Sequence, residues 1–208
     1  MSIHQDDIVA AGGDLAPATL LRAYRSGIFP WPVEGLPLLW FCPHERAILD
    51  FAEVHVGRRL ARTRRRSALR FTVDAAFPDV ILGCAEAPRP GQDATWITPE
   101  IRAAYVRLHH LGFAHSVEAW HDDHLVAGVY GVDADGAFAA ESMFHRETDA
   151  SKLALLHLVD HLRARGLDWL DVQVMTPHLE RLGARTIPRG AFLARLAATR
   201  ARRLQLFR

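Results

Sequence analysis

Cysteine is scarce in this sequence. Cys42 and Cys84 are the only two in 208 residues, and they are not arranged in a Cys-x-x-Cys spacing. A disulfide framework and a cysteine-rich zinc site are therefore excluded as the basis of the fold. Half of the residues are hydrophobic, so a chain of this length can form a sizeable core without such cross-links.

Long apolar runs are also absent. The first residues, 1–7, contain no basic region followed by an apolar run, and no stretch is long and apolar enough to cross a bilayer. We therefore expect a soluble, cytoplasmic protein that has no membrane partner.

Closely spaced glycines are missing as well. No two glycines stand two residues apart, so the glycine-rich loops that bind dinucleotides, nucleoside triphosphates or coenzyme A are absent. The pair His121-x-x-His124 has no neighbouring glutamate motif or cysteine pair, and we interpret it as a solvated turn rather than a metal site. The sequence predicts no organic cofactor and no metal.

Lysine occurs once, at Lys152, whereas arginines crowd residues 58–70. Two interpretations of these arginines are open: a solvated helix in an arginine-rich protein, or a surface that binds phosphates. The same choice applies to Lys152, which is either a phosphate contact or a neutral surface lysine.

Hydrophobic periodicity predicts a mixed chain. Helices are expected over residues 17–26, 57–66, 77–85, 99–111, 150–165, near 178–182 and 191–199. Strands are expected over 71–73, 114–120, 125–132, 137–144 and 169–174, and a loop over 87–94. The predicted class is α+β: a sandwich whose order β-β-β-α-β-α is similar to the GNAT acyltransferase fold. Residues 1–46 are interpreted as a small N-terminal domain and residues 47–208 as the catalytic domain.

The strand around Asp171 carries the sharpest chemical signal. Strict alternation would place Asp171 and Gln173 on one face and the neighbouring Leu170, Val172 and Val174 on the other. A carboxylate and an amide directed at a covered face need partners or a function. The alternative is a polar pair that only fixes a neighbouring helix. Glu141 lies in an otherwise apolar strand, and could equally face solvent at an edge.

Two tryptophans lie in loop-like contexts. Trp31 follows Phe29-Pro30, and Trp96 belongs to Thr95-Trp96-Ile97-Thr98. Each can be a lid on the core or a stacking surface for a base or ribose.

Ordered sequence blocks resemble the leucyl/phenylalanyl-tRNA–protein transferase family. Among them are Thr95-Trp96-Ile97-Thr98 and Glu141-Ser142-Met143-Phe144. All the matching blocks follow in order along most of the chain, at residues 12–15, 23–31, 39–43, 95–98, 114–120, 125–131, 141–144, 150–152, 171–173 and 178–184.

The resemblance implies an enzyme with a GNAT-like domain that uses aminoacyl-tRNA and no coenzyme A. It implies transfer of Leu or Phe, and Met less well, to proteins that begin with Arg or Lys, which marks them for degradation. It also implies the active-site residues Glu141, Asp171 and Gln173. The pocket for the aminoacyl side chain and terminal adenosine would comprise Trp31, Trp96, Val129, Phe138, Leu155, Leu158, Leu162 and Leu170. The tRNA-binding cluster would comprise Arg58, Arg59, Arg62, Arg65 and Arg66, to which we add Lys152.

The expected reaction is attack of an α-amine on the ester that joins the amino acid to ribose. The amine has a pKa of about 8, so a neutral fraction is present at pH 7. We expect Asp171 to attract its proton, Gln173 to orient amine or ester, and Glu141 to hold ribose or amine. The rival functions are a coenzyme A-dependent N-acetyltransferase and a non-catalytic tRNA-binding module. Family members often have Gly where Ala140 stands and Phe where Leu158 and Leu162 stand, which leaves the preference between Leu and Phe open.

Overall fold

The computed structural model describes residues 5–88 and 95–207. The described residues form ten strands: β1 (Ile8–Ala11), β2 (Phe29–Trp31), β3 (Leu39–Phe41), β4 (Glu45–Asp50), β5 (Arg70–Val73), β6 (Ala114–His121), β7 (His124–Asp133), β8 (Phe138–His145), β9 (Trp169–Gln173) and β10 (Arg185–Pro188). They also form seven α-helices: α1 (Pro17–Arg25), α2 (Arg58–Arg66), α3 (Phe77–Glu86), α4 (Pro99–His110), α5 (Ala150–Ala164), α6 (Pro177–Arg181) and α7 (Arg189–Ala201).

The strands are arranged in two sheets. A small antiparallel sheet has the order β1-β3-β2, and a seven-stranded sheet has the order β10-β4-β9-β8-β7-β6-β5. Every neighbouring pair in the large sheet is antiparallel except β8 and β9, which run parallel and pair at one position, Ala139 opposite Asp171. Beyond that position the two strands part, and the sheet opens there.

Two cores cover the two faces of the large sheet. Successive residues of β7 point to opposite faces, so Val129 belongs to the core under α5 and Tyr130 to the core under α3 and α4. The helix α5 is buried along most of its length. The mixed α+β class and the expected β-β-β-α-β-α order, here β6-β7-β8-α5-β9-α6, are confirmed.

The N-terminal segment shares the second core. Leu20 and Tyr24 of α1 and Phe41 of β3 belong to the same buried cluster as Ile101 and Tyr105 of α4. The segment therefore packs on the rest of the chain. Glu45 already belongs to the large sheet as the first residue of β4, and the division of the chain at residue 46 stays a prediction.

The predicted helices and strands are present with small shifts at their ends, but five strands were not predicted. These are β1, β2, β3, β4 and β10. β4 has a short apolar run without alternation, which periodicity cannot distinguish from part of a helix. In the predicted loop 87–94, residues 89–94 lie outside the described residues.

Strict alternation along β9 is wrong. Ala47 of β4 pairs with Gln173, and the next residue, Ile48, pairs with Asp171, so Val172 is an extra residue on β9. Such a β-bulge changes the direction of the side chains that follow it. The strand also ends at Gln173 and not at Val174, because Gln173 has a φ of 61°.

Candidate active site

A cavity of about 490 Å³ lies where β8 and β9 part. Its walls come from the ends of these strands, from the segment leading into α6, from Trp31 at the end of β2, and from Trp96. The lining residues are Trp31, Trp96, Val129, Ala140, Glu141, Ser142, Met143, Leu155, Val172, Gln173, Val174, Met175, Thr176, Pro177 and Leu179.

A second cavity is larger, about 770 Å³, and is lined by residues such as Phe113, Asp133, Arg200, Leu204 and Phe207. None of the site residues predicted from the sequence lines it. Volume alone does not identify a site, whereas an apolar wall with a few convergent polar groups does. We therefore regard the cavity between β8 and β9 as the candidate site.

Gln173 crosses the opening between the two strands. Its side-chain nitrogen donates a 2.6 Å hydrogen bond to Oε1 of Glu141 on β8. The backbone N–H of Val174 donates to the carbonyl of Val172 at 2.7 Å, which closes a tight turn around Gln173. A left-handed conformation is unfavourable for a non-glycine residue and is found often at functional sites. The bulge and this turn place Val172, Gln173 and Val174 all on the cavity wall.

Asp171 does not line the cavity. Its carboxylate accepts two hydrogen bonds from Arg46, at 2.8 Å from Nε and 2.7 Å from Nη2, and a third at 2.9 Å from the backbone N–H of Gln173. The side chains of Arg46 and Asp171 are 1% and 7% exposed. The sequence pattern suggested that Asp171 and Gln173 point together at a reacting amine. The structure separates them, because the bulge at Val172 directs Asp171 to Arg46 and Gln173 to Glu141.

Glu141 presents an enclosed carboxyl group at the cavity wall. The residue as a whole is partly exposed, but its Oε2 atom is buried, and the carboxyl interacts with the hydroxyl of Tyr24. Burial raises the pKa of Glu141 to about 8; the nearby Tyr24 hydroxyl and Arg46 oppose this rise, and the charge of Asp171 adds to it. Glu141 therefore carries a proton in much of the folded protein at pH 7.

Two tyrosines support this end of the site from the second core. The hydroxyls of Tyr24 and Tyr105 form a hydrogen bond with each other. Their rings meet edge to face, at a centroid distance of 6.4 Å. Burial, followed by the negative charge of Glu141, raises the pKa of both hydroxyls well above 10. Both tyrosines therefore remain neutral donors beside the carboxyl group. Their position at the site was not predicted, because α1 and α4 are remote in sequence from β8.

Trp31 and Trp96 meet at the cavity wall. Their rings are stacked at a centroid distance of 5.0 Å and an interplanar angle of 19°. Trp96 is buried and Trp31 is partly exposed. The structure thus brings together two tryptophans that are 65 residues apart in the sequence, beside Glu141 and Gln173.

The predicted apolar pocket is only partly brought together. Val129 and Leu155 line the cavity, whereas Phe138, Leu158, Leu162 and Leu170 are buried in the core under α5. The cavity lies at the N-terminal end of α5, and Leu162 is roughly 10 Å farther along that helix than Leu155. Phe138 and Leu170 precede the Ala139–Asp171 pairing, so they lie on the closed side of the opening.

Several lining residues were not predicted. Met143 belongs to the recognised Glu141-Ser142-Met143-Phe144 block, which was a signal that could have identified it. Met175, Thr176 and Pro177 lie in the segment after β9, whose path depends on the bulge and could not be read from local sequence.

The predicted basic cluster forms the exposed helix α2, on which Arg58, Arg59, Arg62, Arg65 and Arg66 are all exposed. Two contacts fix α2 beside α5: Arg59 lies 3.4 Å from Asp149, and Arg64 pairs with Asp160. Lys152, near the start of α5, lies 2.5 Å from the same Asp149. Lys152 is one helical turn from Leu155 of the cavity wall. Asp149 and Lys152 therefore lie between the basic helix α2 and the cavity.

Comparison with known proteins places the chain in a family. A family model described as leucyl/phenylalanyl-tRNA protein transferase matches residues 48–197, and the model of that family's N-terminal domain matches residues 13–44. A leucyl/phenylalanyl-tRNA–protein transferase of Anaeromyxobacter sp. (strain K) is 55% identical over 192 residues, which cover 92% of this chain and 82% of that protein. The chain belongs to the leucyl/phenylalanyl-tRNA–protein transferase family. A relative with the same name from Nitratidesulfovibrio vulgaris (strain DP4) is 52% identical and covers 91% of this chain and 81% of its own length.

Solved structures with similar chains include two acetyltransferase-type proteins. A ribosomal-protein-alanine N-acetyltransferase from Brucella melitensis biovar Abortus 2308 has a TM-score of 0.37 and 20% identity, over 55% of this chain and 87% of its own. A GCN5-related N-acetyltransferase-like protein from Streptococcus suis has a TM-score of 0.42 and 12% identity, over 82% of this chain and 63% of its own.

Membership of the transferase family confirms the resemblance seen in the sequence. The chain is an aminoacyl-tRNA–protein transferase, an enzyme whose family name implies an aminoacyl-tRNA and a protein as substrates. Within residues 5–88 and 95–207 no group of three His, Cys, Asp or Glu side chains is arranged to hold a metal. In the same part of the chain, no helix combines the length and apolar character of a membrane span.

The carboxyl of Glu141 generates a prediction about the pH dependence of stability. An unfolded glutamate ionises near 4.5, whereas Glu141 in the folded transferase ionises near 8. The folded state therefore binds the extra proton between these values, and its stability falls as the pH rises through this window. Glu141→Gln removes this dependence, so we expect its stability relative to wild type to rise by about 2–4 kcal/mol between pH 5 and pH 9. Urea unfolding at the two pH values measures it.

The matched control is Glu86→Gln, which changes an exposed glutamate at the end of α3. Its stability difference from wild type should stay nearly constant over the same range. A difference for Glu141→Gln that is equally constant would show that the Glu141 carboxyl is not desolvated.

Proposed function

We propose that the cavity between β8 and β9 holds the aminoacyl ester of a charged tRNA. In this proposal the enzyme transfers Leu or Phe, and Met less well, to the N-terminal Arg or Lys of acceptor proteins, and the product is marked for degradation. The supporting observation is the cavity itself. It has an apolar wall that includes Val129 and Leu155, and Gln173 and Glu141 lie together at one edge.

The reaction needs positioning more than covalent catalysis. The nitrogen of the acceptor amine forms a bond to the ester carbonyl carbon, the carbon–oxygen bond to ribose breaks, and the amine's surplus proton is passed to the ribose oxygen. An ester is already activated, so holding amine and ester in line supplies much of the acceleration. Oxyanion and proton positions can then be stabilised by fixed dipoles.

We assign Gln173 and Glu141 to direct contact with the reacting groups. An amide cannot act as a base at neutral pH, so Gln173 orients the ester or the amine through hydrogen bonds. Glu141 has a pKa of about 8, close to that of an α-amine. A matched pair of this kind can exchange a proton with little change in free energy. The ionised fraction of Glu141 is the proton acceptor that we assign to the amine. Asp171 acts on Gln173 through its backbone N–H and not on the substrate.

The aminoacyl side chain would lie against Val129, Leu155 and Met143. Such a wall discriminates between apolar side chains by about 1–3 kcal/mol per methylene. Met143 and Met175 add flexible, polarisable surface that adapts to different shapes. These features support acceptance of Leu, Phe and Met by one pocket.

The terminal adenosine would stack on the tryptophan pair. Trp31 and Trp96 already contact each other, so the base would lie on the outer face of one ring and not between the rings. A stacked base contributes about 1–3 kcal/mol to binding. The tRNA backbone would then continue past Lys152 to the exposed arginines of α2. We place the enzyme in the cytoplasm, because charged tRNA is made and consumed there.

A coenzyme A donor is disfavoured by the start of α5. Acetyltransferases of the GNAT kind bind the pyrophosphate of coenzyme A with a glycine-containing loop after the strand that corresponds to β8. Residues 144–152 of this chain contain no glycine, so the bare backbone N–H groups of such a loop are missing.

A transfer assay tests the proposed function. Labelled leucyl-, phenylalanyl- and methionyl-tRNA are each offered with peptides that begin with Arg, Lys or Ala. We expect transfer of Leu and Phe to the Arg and Lys peptides, weaker transfer of Met, and none to the Ala peptide. Gln173→Asn keeps a residue that tolerates a positive φ but shortens the amide, so kcat/KM should fall about 10²–10³-fold.

Gln205→Asn is the control for Gln173→Asn, because it makes the same substitution at an exposed residue of the C-terminal segment. Absence of transfer by the wild-type enzyme, or full activity of Gln173→Asn, would contradict the proposal.

Substitutions at Leu155 and Leu158 distinguish a residue of the cavity wall from a residue of the core. Both are buried on α5, but only Leu155 lines the cavity. Leu155→Ala should lengthen the pocket and raise the ratio of kcat/KM for Phe over Leu by about 10-fold. Leu158→Ala should cost about 2–5 kcal/mol of stability and leave this ratio unchanged. Equal ratios in the two variants would place the aminoacyl side chain elsewhere.

The arginines of α2 predict a salt-dependent contact with tRNA. Arg62 and Arg65 are exposed and have no ion pair within the described part of the chain. Arg62→Ala/Arg65→Ala should weaken tRNA binding and reduce the slope of log K against log salt by about 1.5. Filter binding at several salt concentrations measures the slope.

The control double variant is Arg102→Ala/Arg107→Ala on α4, which packs on the opposite face of the sheet from α5. It removes the same charge and should leave the slope unchanged. Equal slopes for the two double variants would mean that α2 does not contact the tRNA backbone.

A further inference from the structure

We propose that Arg46 is a positioning residue for the transfer reaction. It holds Asp171, Asp171 holds the backbone of Gln173, and the Gln173 amide is thereby directed at the reacting groups. The inference rests on the proposed function of the cavity, and it assigns a role to a residue that does not line it.

The guanidinium of Arg46 is held by an ion pair and by two aromatic rings. It lies on β4, is 1% exposed, and donates from Nε and Nη2 to the two oxygens of Asp171. Phe29 and Phe192 lie against the guanidinium, with ring centroids 4.7 Å and 4.5 Å from its carbon. One ring comes from the N-terminal sheet and the other from α7, so three parts of the chain determine the position of Arg46.

This arrangement is poorly suited to stability alone. The Nη1 atom of Arg46 is buried without a hydrogen-bond partner among the described residues, which is a cost. A buried ion pair often contributes no more to stability than a well-packed apolar pair of similar size. Its clear effect is geometric, because a bidentate fork allows one orientation of the carboxylate.

The fixed carboxylate reaches the cavity through one shared atom. Oδ1 of Asp171 accepts from Nε of Arg46 at 2.8 Å and from the backbone N–H of Gln173 at 2.9 Å. Gln173 has a φ of 61°, a conformation that is unfavourable for a non-glycine residue and therefore needs support. Nε2 of Gln173 then reaches Glu141 at 2.6 Å. Arg46 is thus linked to both cavity side chains without touching a substrate.

Lysine cannot replace this geometry. It retains the charge but offers a single ammonium in place of a planar fork, and it loses the stacking on both phenyl rings. Arg46→Lys should therefore change the orientation of the Gln173 side chain and leave the net charge of the core unchanged.

Arg46→Lys is the direct test, with Arg185→Lys as the matched control. Arg185 of β10 joins Asp50 of β4 in an exposed ion pair, so it reports the effect of weakening an arginine–carboxylate contact that involves neither Asp171 nor Gln173. Both variants are assayed for transfer of Leu to an Arg-initiated peptide, with kcat and KM for leucyl-tRNA measured separately. We expect kcat of Arg46→Lys to fall about 100-fold, since small misplacements have such effects, with KM within about twofold of wild type. Arg185→Lys should keep both values.

A double-mutant cycle separates positioning from general weakening. If Arg46 acts through Gln173, adding Arg46→Lys to Gln173→Asn should cause little further loss of kcat. Multiplicative losses in the double variant would overturn the inference. So would an unchanged kcat in Arg46→Lys while the wild type is active, whereas an inactive wild type would instead contradict the proposed function.

A second variant covers the case in which Arg46→Lys fails to fold. Arg46→Met/Asp171→Leu replaces the ion pair by apolar side chains, an exchange that proteins often tolerate. We expect it to unfold cooperatively in urea and to have a kcat reduced about as much as that of Gln173→Asn. A folded double variant with normal kcat would overturn the inference. Loss of folding in both variants would assign Arg46 to stability alone and also overturn it.

Discussion

The buried ion pair between Arg46 and Asp171 joins β4 to β9 at the point where their register shifts. The bulge at Val172 and the turn at Gln173 both lie within two residues of this pair. Without a fixed carboxylate at Asp171, the backbone N–H of Gln173 would lose its acceptor, and its positive φ would be left to the turn hydrogen bond from Val174 and the side-chain bond to Glu141. The ion pair therefore helps to set the direction of the Gln173 amide, and with it the polar edge of the cavity.

The parting of β8 and β9 supplies the rest of the site. Because the two parallel strands pair at one position, the sheet provides an opening, and the ends of these strands form part of the cavity wall. Glu141 and Gln173 face each other across it, and α5 and the tryptophan pair close the apolar side. An enzyme that joins an amine to an activated ester needs this kind of rigid, pre-organised frame more than it needs a nucleophile. The N-terminal segment takes part as well, since Tyr24, Phe29 and Trp31 all support the site.

The sequence was sufficient for the family, the α+β class and most helices, because tryptophan-bearing motifs and helical periodicity are local signals. It also drew attention to Glu141 and Gln173, which interrupt apolar strands and which the structure places on the cavity wall. It could not show that Asp171 faces Arg46, because a single inserted residue in β9 reverses the alternation and the pairing with β4 is non-local. The pocket was overextended along α5 for a related reason. Leu158 and Leu162 share a buried face with Leu155, and periodicity gives the face but not where along it a cavity lies.

The central claim is that the ester carbon lies beside Gln173 with the aminoacyl side chain on the Val129–Leu155 wall. A crystal structure with a stable amide analogue, leucine joined to 3′-amino-3′-deoxyadenosine, tests this most directly. The account predicts the amide carbonyl within about 4 Å of the Gln173 side chain, the leucine against Leu155, and the adenine on one tryptophan face. An analogue bound in the larger cavity beside Phe113 and Leu204, or bound with its leucine away from Leu155, would contradict it.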